Sequence, residues 1–258
     1  ATVMPLARKL IAESIGTALL LATVVGSGIM GVMLSGGNDG IALLANAGAT
    51  AGALYVLIVL FGPISGAHFN PAVTLAMRLR GELGNAHAAA YVVVQIAAAI
   101  AGVLLAHAMF DLPLVQPGTH ARTGVSQWIS EAVATFGLLL TILLGIRHRP
   151  NSVPVLVASY IFAAYWFTAS TSFANPAVTL ARSLTQTFAG IRPEDVIGFV
   201  AAQMAGMRAG CGVAYLLTSP TAPARHVESL TDEATTEEAK GQKRSDGTSA
   251  SFSSREPA

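Results

Sequence analysis

Residues 65–79 read "SGAHFNPAVTLAMRL", and seven of these letters, NPAVTLA, return at residues 172–184 in "SFANPAVTLARSL". Asn is a favoured helix N-cap and Pro is favoured in the first helical turn, so each copy reads as a helix start at Asn70-Pro71 and at Asn175-Pro176. Each helix has about ten residues to run, about 15 Å, which is roughly half the hydrocarbon thickness of a bilayer. The stretches before them, "GPISGAHF" and "TASTSF", are rich in Gly, Ser and Thr, as non-helical backbone would be. Such backbone is tolerated at membrane depth only where protein buries it or where it lines a watery cavity.

Composition supports a membrane setting. Of 258 residues, 53% are hydrophobic and only 11% charged, too few charges to solvate a soluble domain of this size. A net charge of +1 gives no reason to expect a nucleic-acid partner, and the single cysteine, Cys211, permits no internal disulfide and supplies no metal cluster. Six apolar segments are long enough to span, at about residues 10–33, 41–62, 87–109, 127–146, 153–171 and 194–217. The first lacks a convincing cleavage site and is read as a span rather than a signal peptide. Arg8, Lys9, Arg78, Arg80, Arg147, Arg149 and the five basic residues after Pro220 fall on one side of this topology, against Arg122, Arg182 and Arg192 on the other. The basic side, with both termini, is expected to be cytoplasmic. Residues 218–258 are polar, with few large apolar groups, and are expected to be a disordered cytoplasmic tail after a membrane-spanning domain at 1–217.

The two halves, about 8–110 and 126–217, match beyond the seven letters. "ESIGTALLLA" at 13–22 resembles "EAVATFGLLL" at 131–140, and Gln95 and Gln203 stand at similar places in the third helix of each half. Three spans per half is an odd number, so the halves have opposite orientations in the membrane. The two Asn-Pro starts then meet near the midplane, and two positive helix ends face one small volume. That field disfavours cations, including a proton carried along a file of water, while Asn70 and Asn175 offer donors to a passing oxygen.

Two Asn-Pro-Ala boxes (Asn70, Pro71, Ala72 and Asn175, Pro176, Ala177) in inverted halves of a six-span chain resemble the aquaporin, or major intrinsic protein, family. The resemblance covers nearly all of residues 8–217. It implies an all-α membrane fold of six transmembrane helices and two re-entrant half-helices, a homotetramer with one pore per subunit, no enzymatic activity, no cofactor, and passive conduction of water or small uncharged solutes. It also implies that Glu13 and Glu131 brace the half-helix loops, that His68 acts mainly through its backbone carbonyl, and that the selectivity filter falls at Thr50, Ala163, Ser172 and Val178. Most relatives place Arg directly after the second Asn-Pro-Ala, where this chain has Val178. Without that charge and its donors the filter is expected to be wide and weakly polar. This departure is similar to a bacterial branch associated with arsenic resistance, which implies the inner membrane of a bacterium and metalloid acids such as arsenite, or methylated arsenicals, as solutes. Glycerol and water remain alternatives, as does an ion-coupled transporter, since those also use inverted repeats and broken helices.

Arg182 lies one turn beyond Val178 and is expected at the channel mouth or against loops rather than in the pore. Arg208, in the middle of the last span, points to an ion pair or a subunit contact. Tyr160, Tyr165 and Trp166 read as packing or interfacial residues, and Gly16, Gly102 and Gly210 as sites of close helix crossing.

Overall fold

A computed structural model describes residues 4–219, so nearly all of the expected tail lies outside the described residues. Those residues form eight α-helices and no strand: α1 (Leu6–Leu34), α2 (Asp39–Ser65), α3 (Pro71–Leu79), α4 (Asn85–Met109), α5 (Val125–His148), α6 (Val153–Phe167), α7 (Pro176–Arg182) and α8 (Val196–Thr218). Five of these, α1, α2, α4, α5 and α8, are long and apolar enough to cross a membrane, the last together with the 3-10 turn that precedes it. The sixth long helix, α6, has 15 residues and is preceded by a 3-10 turn at Pro150–Ser152. It stops short of the expected residue 171 because Thr168 turns extended, and Thr171, Ser172 and Ala174 then take left-handed φ values of 61°, 53° and 48°.

The halves repeat each other in packing. In the first, α1 packs on α2 and α4; in the second, α5 packs on α6 and α8. The halves are joined by α2 against α6 and by the two half-helices, since α3 reaches α8 and α7 reaches α4. Small residues make the tightest crossings possible. A methyl group on Gly102 would collide with the Ala18 carbonyl of α1, and one on Gly210 would press on Phe136 and Leu139 of α5. Gly102 and Gly210 each follow the glutamine of their helix by seven residues, so they are equivalent positions. Gly16 differs from expectation: it clears space for the ring of Phe69, which belongs to a re-entrant loop and not to a crossing helix.

Candidate functional site

The site is built from two buried carboxylates. Glu13 Oε1 accepts from Ser65 Oγ at 2.6 Å and from His68 N at 2.9 Å, and its Oε2 accepts from Phe69 N at 2.7 Å and Gln95 Nε2 at 2.9 Å. Glu131 repeats the pattern: Oε1 accepts from Ser170 Oγ at 2.6 Å and Phe173 N at 2.9 Å, and Oε2 from Ala174 N at 2.9 Å and Gln203 Nε2 at 2.6 Å. Each carboxylate thereby gathers the amide hydrogens of a loop whose backbone is too contorted to pair with itself, with left-handed residues at Ala67 and Phe69 in one and Ser172 and Ala174 in the other. Each glutamine passes its second amide hydrogen to a half-helix threonine, Gln95 to Thr74 at 2.9 Å and Gln203 to Thr179 at 2.8 Å.

These loops deliver the two Asn residues to one place. Asn70 Oδ1 caps α3 by accepting from Ala72 N at 2.8 Å, and Asn175 Oδ1 caps α7 by accepting from Ala177 N at 3.0 Å and Val178 N at 3.2 Å. Pro71 and Pro176 follow as the first helical residues, where the missing N–H has no bond to lose. Across the pseudo-twofold, Asn70 Nδ2 donates to the Ala174 carbonyl and Asn175 Nδ2 to the Phe69 carbonyl, each at 2.8 Å. A primary amide has two N–H donors, so each Asn keeps one for a solute.

Asn70 and Asn175 face a cavity of about 530 Å³, whereas Pro71, Ala72, Pro176 and Ala177 do not line it. Near the ends of α3 and α5 it is lined by Met77, Glu82, Ile146 and Asn151; it passes Asn70 and Asn175 and continues along α7 to Arg182. Glu82 is paired with Arg80 at 2.8 Å. His68 lines the cavity while its Nδ1 stands 3.1 Å from Thr74 Oγ1. Thr50, Ser172 and Val178 line the α7 half, and the Ser172 hydroxyl has no hydrogen-bond partner among the described residues. Ala163 does not line it. That residue lies on the exposed face of α6, and the same helix turns Val157, Ile161 and Tyr165 to the cavity. Tyr165 is 3% exposed and donates to Thr50 Oγ1 at 3.3 Å, so it is a wall of the throat and not an interfacial residue.

Arg182 also departs from expectation. It is 2% exposed, lines the cavity, and lies with its guanidinium carbon 3.4 Å from the centre of the Phe173 ring. Its Nε donates to the Ala189 carbonyl. The signal was available in the sequence: helical side chains lean back toward the N-terminus, so a long one placed four residues after Val178 reaches over it. Arg122, from the connection between α4 and α5, lies 5.0 Å from the same ring and donates to the carbonyls of Gly190 at 2.9 Å and Ser170 at 3.2 Å. Burial lowers its pKa to about 10, and burial beside Arg122 and Arg182 also holds His120 below its usual value. Arg208 is exposed on α8 and has no ion pair among the described residues.

Comparison with known proteins agrees with this geometry. The family model for major intrinsic proteins matches residues 1–165. Aquaglyceroporin AqpS of Rhizobium meliloti (strain 1021) is 55% identical over 218 residues, covering 84% of this chain and 93% of its own. Aquaporin PIP2-7 of Arabidopsis thaliana is 34% identical over 159 residues, 58% of this chain and 57% of that one. Among solved structures, the aquaglyceroporin from Plasmodium falciparum superposes with a TM-score of 0.65 at 18% identity, covering 83% of this chain and 95% of its own, which speaks for the fold. With paired Asn-Pro-Ala boxes, an inverted repeat and these relatives, the chain belongs to the major intrinsic protein (aquaporin) family of membrane channels.

Proposed function

We propose that the chain is a passive channel for small uncharged solutes larger than water, with metalloid acids such as arsenite, or methylated arsenicals, as favoured cargo. The observation that carries this reading is the cavity of about 530 Å³ that runs past both Asn residues and reaches the level of Val178. At that level Val178, Thr50, Ser172 and Tyr165 stand around the path together with Arg182, so the throat carries a guanidinium and is more polar than the absence of Arg at position 178 led one to expect. Undissociated arsenite carries three hydroxyls on a compact centre, and such a solute can exchange water for the free Asn donors and the loop carbonyls in sequence.

Glycerol presents the same three hydroxyls on a longer chain, and the 55% identical relative is named an aquaglyceroporin, so glycerol is the second reading. In this proposal the protein sits in a bacterial inner membrane with both termini cytoplasmic, as a homotetramer with a pore in each subunit. Solute uptake into proteoliposomes, with and without an ion gradient, tests it. Arsenite and glycerol uptake should rise linearly with concentration and ignore the gradient. Uptake that saturates at low concentration and needs a gradient would instead indicate a coupled transporter.

A further inference from the structure

The throat holds two buried guanidiniums that no carboxylate pairs with directly among the described residues. Arg182 and Arg122 are 2% and 7% exposed, both lie over the Phe173 ring, and neither forms an ion pair among the described residues. Glu131 is the acid that acts electrostatically on both, but its two oxygens are already taken by Ser170, Phe173, Ala174 and Gln203. Asp195 is likewise engaged, by the Arg122 backbone N–H at 2.8 Å and by Arg192 at 3.1 Å.

A guanidinium has five N–H donors. Arg182 uses its Nε on Ala189 and makes no other hydrogen bond among the described residues, so both of its Nη groups remain open beside the cavity. Arg122 uses Nε and Nη1 on Gly190 and Ser170 and leaves Nη2 open. Stacking on Phe173 and the Nε bond fix the plane of the Arg182 fork, so little rotamer freedom is left to lose on binding. Ser172 stands in the same wall, with its hydroxyl buried and without a partner among the described residues. Two guanidiniums against the single charge of Glu131 leave net positive charge, and in a space shielded from bulk water that charge attracts an anion more strongly than it would in water.

We propose that Arg182, supported by Arg122, is a binding site for compact monovalent oxyanions in the throat of the channel, and that an anion held there competes with uncharged solutes for the path. The fork would present two parallel N–H donors to two oxygens of the anion, an arrangement that ammonium or a single amide cannot supply. The site rests on the channel reading only in its consequence for flux, because binding itself is measurable without transport.

Nitrate is a suitable probe, with gluconate as an anion too bulky to enter. The full-length chain in neutral-lipid proteoliposomes should take up glycerol several-fold more slowly in nitrate than in gluconate at equal ionic strength. In detergent, nitrate but not gluconate should raise its thermal unfolding midpoint. Arg182→Met should abolish both nitrate effects, and Arg182→Lys, which keeps charge but loses the fork, should weaken both. Arg208→Gln should leave both as in the parent. Nitrate effects that persist in Arg182→Met, or a parent chain that shows no nitrate shift in either assay, would overturn the site. Nitrate stabilisation without any glycerol uptake would keep the site and overturn the channel reading; glycerol uptake indifferent to nitrate, with no shift in midpoint, would do the reverse.

Discussion

Asn70 of the first half donates its side-chain amide to the carbonyl of Ala174 in the second, at 2.8 Å. Because Asn175 returns the bond to Phe69 at the same distance, each re-entrant loop is held in part by the opposite half. The midplane is therefore one hydrogen-bonded unit, and the two amide hydrogens left over are aimed by bonds the protein makes with itself.

Replacing either Asn by Ala should reduce glycerol uptake, since the solute loses a fixed donor and the facing carbonyl loses its partner. The stability cost should differ between the two. Asn70 Oδ1 caps one N–H of α3, whereas Asn175 Oδ1 caps two of α7. Loss of an N-cap costs about 0.5 to 2 kcal/mol, so Asn175→Ala is expected to lie at the upper end of that range and Asn70→Ala lower. Thermal unfolding of both variants in detergent checks this; equal midpoints would mean that the second cap bond contributes nothing.

Glu13→Gln and Glu131→Gln should be destabilising to a similar degree. Each carboxylate receives four donors, and glutamine would turn an amide N–H₂ toward two of them. Stranding a buried donor costs about 1 to 3 kcal/mol, which should appear as reduced yield and a lowered unfolding midpoint in both variants. A large effect in one half and none in the other would show that the symmetry of the bonds is not a symmetry of energy.

Much of this architecture was legible in the residues. Hydropathy located the long helices, and the Asn-Pro steps located both half-helices, because a cap and a first-turn proline are local chemistry that tertiary packing does not alter. Glu13, Glu131, Gln95 and Gln203 could be paired off by the repeat alone. Rotation about α6 could not be read: the helix is apolar on all sides, so nothing in "VPVLVASYIFAAYWF" tells the exposed Ala163 from the cavity-lining Ile161 and Tyr165. Arg182 was missed for a different reason, since its Cα lies a turn away from the throat and only the backward lean of the side chain carries the guanidinium there.

Glycine substitutions separate crossing sites from idle ones. Gly102→Ala places a methyl against the Ala18 carbonyl, a backbone atom that cannot move without shifting α1, and a cost of about 1 to 3 kcal/mol is expected. Gly52 lies within α2 with nothing within 4 Å of the position a methyl would take, so Gly52→Ala should be neutral or stabilising by up to about 1 kcal/mol through helix propensity. Measured in one detergent, the unfolding midpoint of Gly102→Ala should fall, whereas that of Gly52→Ala should hold or rise. A neutral Gly102→Ala would mean that the α1–α4 crossing is looser than its geometry implies.

Val178→Arg tests where the throat is narrowest. Val178 is 5% exposed and lines the cavity one turn from Arg182, with Thr50, Ser172 and Tyr165 around it. A guanidinium there would fill part of the path and would stand about 5 to 6 Å, Cβ to Cβ, from the residue that already carries one. Glycerol must shed more of its hydration and fit a smaller opening, whereas water can still pass in single file and bond to the added donors. Glycerol uptake should therefore fall by about tenfold, equivalent to about 1.4 kcal/mol of barrier, with a smaller loss in osmotic water flow. Val178→Met, which adds length without charge, separates the two causes: if it reproduces most of the glycerol loss, size governs passage, and if it does not, the charge and donors of a further guanidinium contribute. Equal losses of glycerol and water in Val178→Arg would move the narrowest point away from Val178, with the bond between Tyr165 and Thr50 as the next constriction to test.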